Sequence, residues 1–237
     1  MSHALIYIIL GIFDAAAMML LILKLFMLPV FDYRYKIVAF STFIALFSYV
    51  TRVVLEVPAL DLPLQYIFFI VFLRIGLKIK IHLASFISGS GICAYAALQM
   101  CLYYLLEWID LVHVGILKEN VGLLLFFFQI TSILVAYLIA FLLFRCSLGF
   151  SFIIKPPHDF FSREDYFSKR NIVLLIANII SIITILVTTI FLYSGKPLGL
   201  LIVAAVSFIV SIYFSGWSDK DDIRKAIEAY RNKNQTG

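Results

Sequence analysis

Charge is what this sequence has least of: Asp, Glu, Lys and Arg make up only 14% of its 237 residues, against roughly 25% in ordinary globular domains. A chain so poor in charge cannot coat a soluble core. With 63% hydrophobic residues and a mean hydropathy of +1.04 it reads as a membrane protein. Cysteine is scarce too. Cys93 and Cys101 share one apolar segment and stand about 12 Å apart along a helix, and a lone Cys146 completes the set, so no disulfide framework is expected. Also missing are GxSxG, HExxH, P-loop and paired-glutamate signatures. The reading is therefore non-enzymatic, with no catalytic residues, no metal and no cofactor. The opening MSHALIYIILG has no basic n-region and no small-residue cleavage site, so its apolar run is expected to remain as a span rather than be removed. The net charge of +5 does not call for nucleic acid, because a bilayer accounts for where the basic residues fall.

What is present is a succession of apolar runs of about twenty residues, the length that crosses a bilayer. They predict an all-α membrane protein with about seven transmembrane helices, at 4–28, 37–57, 62–79, 82–106, 121–144, 171–194 and 197–217. The third is the least regular, since Pro58 and Pro63 stand at its entry and LRIGLKIK dilutes its exit. Residues 1–217 form the polytopic domain. Residues 218–237 form a charged tail in which Ile223, Ile227 and Tyr230 recur on one helical face. Orientation follows from the cations. Arg34 and Lys36; Arg74, Lys78 and Lys80; Arg145, Lys155, Arg163, Lys169 and Arg170; and Lys220, Arg224, Lys225, Arg231 and Lys233 all fall in alternate connections or the tail. Only Arg52, Lys118 and Lys196 fall in the other set, and Lys24 is placed to snorkel from the first span to the headgroups. The N-terminus is thus expected outside and the C-terminus in the cytoplasm of a multi-pass cell-membrane protein. The long connection at 145–170 mixes Phe150, Phe152, Phe160, Phe161, Tyr166 and Phe167 with basic residues and reads as an interfacial loop, broken by Pro156 and Pro157.

Against that background one carboxylate stands out. Asp14 has no other charged side chain for nine residues on either side and sits about ten residues into its helix, which puts it roughly 15 Å deep, near the bilayer centre. A charge facing lipid there costs at least about 2.5–3.5 kcal/mol, so it must face the bundle. Arg52, in the neighbouring antiparallel span, is the nearest charged candidate, and an Asp14–Arg52 contact is expected. That contact would pin two helices, line a ligand vestibule or couple to protons. Gln65, Gln99, Gln129 and Asn178 are the other polar residues inside spans, the last three expected to bond between helices. The fourth span clusters Ser85, Ser88, Gly89, Ser90, Gly91 and Ala94, a face that lets another helix approach closely. His82 and Cys93 are about 16 Å apart on that helix and cannot form a dyad. His82 with Cys146 is the better thiol–imidazole pair, since both stand at the inner ends of the fourth and fifth spans. Glu107, Asp110 and His113, in the outer connection, spread over about 120° of a helix and do not make a metal set.

Closely spaced apolar helices, an outside N-terminus, an early carboxylate at Asp14 and a charged helical tail from Asp219 resemble the polytopic sensor region of accessory-gene-regulator-type quorum-sensing histidine kinases. The likeness covers roughly residues 1–230 and rests on layout. It implies an outer face that receives a secreted peptide and a last span that continues toward a dimerising helix and a kinase domain. Fewer than twenty residues follow Asp219, so the kinase domain is missing, and the resemblance implies a stand-alone sensor or a piece of a longer chain. The leading expectation is a sensor or regulatory protein. It would bind a small peptide or amphiphile near Asp14, Arg52, Glu107 and Asp110, and engage a cytoplasmic partner or a second copy through 219–233. The alternative is a transporter or permease component whose path is lined by the fourth span.

Overall fold

The computed structural model describes residues 2–112, 116, 122–153, 169–194 and 197–235. Seven helices dominate: α1 (Ser2–Leu25), α2 (Arg34–Tyr49), α3 (Asp61–Gly76), α4 (Ile81–Trp108), α5 (Leu123–Arg145), α6 (Lys169–Ser194) and α7 (Pro197–Gln235). The described residues include no strand. Among them, 7 helical segments are long and apolar enough to cross a membrane: Ala4–Leu25, Phe31–Val54, Pro58–Gly76, Ile81–Trp108, Leu123–Arg145, Asn171–Phe191 and Pro197–Asp221. Each overlaps one of the predicted segments. The irregular third is the shortest. A 3₁₀ turn at Pro58–Leu60 feeds α3, whose own Pro63 sits in the first turn, where a missing N–H leaves no helical bond unmade.

Contacts pair early residues of one helix with late residues of the next, as Tyr7 with Ser48 and Lys36 with Gly76, so α1, α2 and α3 alternate in direction, and α4 runs antiparallel to α1, with Phe86 on Phe26 and Tyr95 on Asp14. The bundle therefore has two poles. At the first lie the start of α1, the end of α2, the start of α3 and the end of α4. The long connection and the polar end of α7 lie at the second.

The core is built around α4. It packs on α1, α3, α5, α6 and α7, and 78% of its apolar window is buried, more than twice the share in α1. The reason is the small-residue face. A Cβ added to Gly91 would stand 2.1 Å from Cγ1 of Ile22 in α1, and one on Gly89 would stand 2.5 Å from Cβ of Ser181 in α6. Both glycines admit neighbours that no other residue would. On the far side of α1, Gly11 lies against Ala45 of α2.

Five helical segments end in the same way. Met27, Glu56, Lys78, Asp110 and Ser147, each two residues past a helical segment, take left-handed backbone angles with φ between 51° and 58°. The amide that follows reaches back into the last turn, as Leu28 N to Leu23 O at 2.8 Å, Leu111 N to Leu106 O at 2.9 Å and Leu148 N to Leu143 O at 3.0 Å. These caps normally carry glycine; here none does.

The interfacial-loop reading of 145–170 falls mostly outside the described residues, as does His113. The described beginning of that connection docks on the second pole. Gly149 comes so close to α1 that a Cβ would stand 2.9 Å from the carbonyl oxygens of Lys24 and Leu25, and Phe150 N donates to Leu25 O at 2.8 Å. Phe150 and Phe152 then join Phe26 and Phe86 in an aromatic cluster with ring centroids near 6 Å. Lys24, expected to snorkel, has its ammonium 4.3 Å from the centre of the Phe144 ring, a cation–π contact.

Candidate functional site

At the first pole the last turn of α2 widens into a π-helical turn, Val50–Val54, a distortion found mostly where a side chain must be re-aimed. It carries Thr51 and Arg52. The chain then folds back through Glu56 and the Pro58 turn, so that Asp61 opens α3 directly beside the widened turn. Asp61 is wholly buried. Arg52 Nε donates to its Oδ2 in a salt bridge, Ser48 Oγ donates to Oδ2 at 3.0 Å, and Gln65 Nε2 donates to Oδ1 at 2.9 Å. Thr51 Oγ1 stands 3.4 Å from Oδ1, but it is closer to the carbonyls of Phe47 and Ser48, at 3.0 and 3.2 Å, so its single proton is shared. Position in the first turn adds the favourable field of the helix N-terminus. Tyr7 of α1 closes the group through Ser48, 3.4 Å away. The outcome is a buried carboxylate with its lone pairs filled and a partner cation whose side chain is still 37% exposed.

A second polar centre joins α1, α4 and α5. The Tyr95 hydroxyl donates to Asp14 Oδ1, Gln99 bonds Tyr95 from one turn further along α4, and Tyr137 of α5 donates to the Phe13 carbonyl at 3.3 Å. Arg52 and Asp61 lie within electrostatic range of Asp14, so the two centres sense each other's charge.

These contacts differ from the expected Asp14–Arg52 pair. Arg52 is held by Asp61, which falls between the predicted spans 37–57 and 62–79, and Asp14 by the neutral donor Tyr95. The physical reason is chain distance. Asp61 returns to Arg52 across a short turn, which orders few residues, and it offers a desolvated carboxylate at the depth where the guanidinium already lies. Of the residues predicted for a ligand site, Asp14 and Arg52 belong to neighbouring centres, but Glu107 and Asp110 do not join them. Glu107 is about 18 Å beyond Tyr95 along α4. Between them a second apolar cluster of Met100, Tyr103, Leu106, Val112, Ile116, Phe128 and Leu200 fills the end of the bundle. Asp110 is exposed in its left-handed cap, its amide donating to Glu107 O at 3.0 Å.

Asp61 and Tyr95 were missed by sequence reasoning. The spacing of Asp61 to Gln65, one helical turn, was a usable signal; nothing in the sequence points Tyr95 at Asp14. Asn178 bonds between helices as expected, its Nδ2 donating to the His82 carbonyl at 2.8 Å. His82 is buried and Cys146 exposed, while Cys93 packs against Ser207. Among the described residues no three His, Cys, Asp or Glu side chains converge on a metal position.

At the second pole Asp219 of α7 accepts from Ser151, from its backbone N at 3.0 and 3.2 Å and its hydroxyl at 3.2 Å. That ties α7 to the stretch of chain that Phe150 attaches to α1.

Fold and sites together define an all-helical bundle with seven segments apolar enough to cross a membrane, carrying two linked polar centres near one pole and a polar helix at the other. No protein-family model matches the chain, and neither curated proteins nor solved structures give a match to it.

Proposed function

We propose that the chain is a multi-pass protein of the cell membrane, with its N-terminus outside and its C-terminus in the cytoplasm, and that it works as a sensor. On this reading the first pole faces outward. A small peptide or amphiphile binds there, and α7 passes the event to the cytoplasm, where the polar tail meets its partner. One observation carries the proposal. α7 is a single helix of 39 residues that starts at the first pole and runs unbroken into the tail, tied on its way by Asp219 to the segment that caps α1. A rigid element that spans both poles, packed on α4 and α6 along its apolar stretch and tied at its polar end by Asp219, transmits displacement without unfolding.

The receiving surface is the rim around Arg52. With Asp61 neutralised by Arg52, the exposed acids of this pole among the described residues are Glu56 and Asp110, with Glu107 half-buried. That balance favours a ligand bearing a cationic group. Transport along the small face of α4 is less favoured, because Ile22 and Ser181 fill the grooves over Gly91 and Gly89.

The reading is tested in proteoliposomes with a spin label on the tail at position 227 and a panel of cationic and anionic amphiphilic peptides outside. We expect at least one cationic peptide to change the label's environment, and Asp61→Asn to abolish the change. Accumulation of the peptide in the lumen with no change at the tail would establish the transporter instead.

A further inference from the structure

Asp61 and Asp14 carry the same group into opposite surroundings. Asp61 is met by the Arg52 cation, by Ser48 and by Gln65, in the first turn of α3. Each of these favours a negative charge. Asp14 stands mid-helix, at the centre of the apolar segment Ala4–Leu25, where no helix end contributes. α1 packs on α2, α4 and α5. The titratable and charged groups that face Asp14 from these elements are Tyr95 on α4, Tyr137 on α5 and Arg52 in the widened turn that ends α2, with Asp61 of α3 behind it. Tyr95 gives a single neutral hydrogen bond, and Tyr137 donates its proton elsewhere, to the Phe13 carbonyl. Arg52 is bound to Asp61, whose negative charge offsets at Asp14 part of what the guanidinium supplies. The cation of α1 itself, Lys24, is about 15 Å further along the helix, with its ammonium over the Phe144 ring.

Exposure is the second observation. Ala15, Ala17 and Met18 beside Asp14 are nearly inaccessible, yet Asp14 is only half-buried. Where Tyr137 meets α1 the surface of the bundle is apolar, with Phe13, Leu134 and Phe141 52–63% exposed. In a bilayer the carboxyl therefore opens on hydrocarbon. A negative oxygen there has no water to solvate it. A proton removes the charge, and the neutral carboxyl still accepts from Tyr95 through its carbonyl oxygen.

We propose that Asp14 is a proton-binding site facing lipid, one that carries its proton in the resting chain and exchanges it, while Asp61 stays ionised. The inference rests on the membrane reading proposed above and is independent of what is sensed.

Carbodiimide labelling of the unaltered full-length chain tests it. A protonated carboxyl adds across a C=N bond of the reagent. Its proton passes to one nitrogen, its oxygen bonds the central carbon, and the acyl group then shifts to the other nitrogen, giving a stable N-acylurea from which nothing has left. Membranes are first washed in alkaline carbonate, which releases the chain only if the membrane reading itself is wrong. Retained chains are treated either with lipid-soluble dicyclohexylcarbodiimide or with a water-soluble carbodiimide and glycinamide, then digested for mass spectrometry. We expect the lipid-soluble reagent to modify Asp14 and not Asp61. The water-soluble one should leave both untouched while modifying the exposed Glu56 and Asp110. Modification of Asp14 should fall at least about fivefold from mildly acidic to alkaline buffer, and Tyr95→Phe, which removes the donor that favours the ionised form, should carry it to higher pH. No modification of Asp14 at any pH overturns the proposal. Modification by the water-soluble reagent overturns the lipid-facing position, and labelling that does not change with pH overturns the exchange.

Discussion

Asp61 gathers more donors than any other carboxylate in the described chain, and its energetics follow from burial. The acid is fully enclosed while Arg52 is partly solvated, so the two are not equivalent. Removing the carboxylate strands Gln65 and a guanidinium that stays partly solvated, so the cost falls below the roughly 3–5 kcal/mol of breaking a fully buried pair. Asp61→Ala is therefore expected to lower the detergent melting temperature sharply, whereas Asp61→Asn keeps one acceptor and costs roughly half as much. Arg52→Lys loses the planar Nε donor and should resemble Asp61→Asn, which a melting series of the three variants checks. Asp14 obeys another rule, since the Tyr95 hydroxyl that donates to it is neutral. Tyr95→Phe leaves it short of one hydrogen bond, at about 1–3 kcal/mol, and a double-mutant cycle with Asp14→Asn should show a coupling of at least about 0.5 kcal/mol. That Asp14 needed an inward partner was legible from its apolar surroundings. Which partner was not, because helical spacing gives the face of a residue and not the helix opposite; the cation inside the neighbouring span was the natural but wrong choice.

Elements show the same division between what periodicity fixes and what packing decides. The small face of α4 was readable, and it does admit close neighbours. That Gly91 receives Ile22 and Gly89 receives Ser181 depends on crossing geometry that the spacing does not contain. Gly91→Ala is accordingly expected to cost about 1–3 kcal/mol through overpacking, seen as a lower melting temperature with unchanged helix content. The helix ends were read only approximately, because the usual stop signal is a glycine and the caps at Met27, Lys78, Asp110 and Ser147 have none. At each, the left-handed conformation costs an L-residue about 1–2 kcal/mol. Glycine at such a position should relieve part of it. Ser147→Gly, at a solvent-exposed cap, is expected to raise the melting temperature, and a fall would show that the serine has a contact that outweighs the strain.

At the scale of the whole molecule, the proposed signalling rests on α7 acting as a lever. Its apolar stretch and its polar tail were predicted as separate domains divided after Trp217, because hydropathy changes there. Hydropathy reports the surroundings of a helix, however, and says nothing about its continuity, and no proline or glycine interrupts the chain from Trp217 to Gln235. The tail is steered where Asp219 takes both the amide and the hydroxyl of Ser151, while Phe150 next to it holds the end of α1. A shift of α1 at the second pole thus reaches α7 through three consecutive links, none involving the core. The contact is half-exposed, so charge-assisted bonds that would be worth about 1.5–3 kcal/mol when buried contribute near 1 kcal/mol or less here. Its loss should leave global stability almost unaffected and still free the tail. Asp219→Ala is expected to hold its melting temperature within a few degrees, yet to broaden the distance distribution between spin labels at the exposed positions 148 and 227. Asp219→Asn, which keeps one acceptor for the Ser151 amide, should fall between. A tail equally ordered in all three proteins would mean that it is held by other contacts, and the lever would then have to be sought along the α4–α7 packing, where Cys93 meets Ser207.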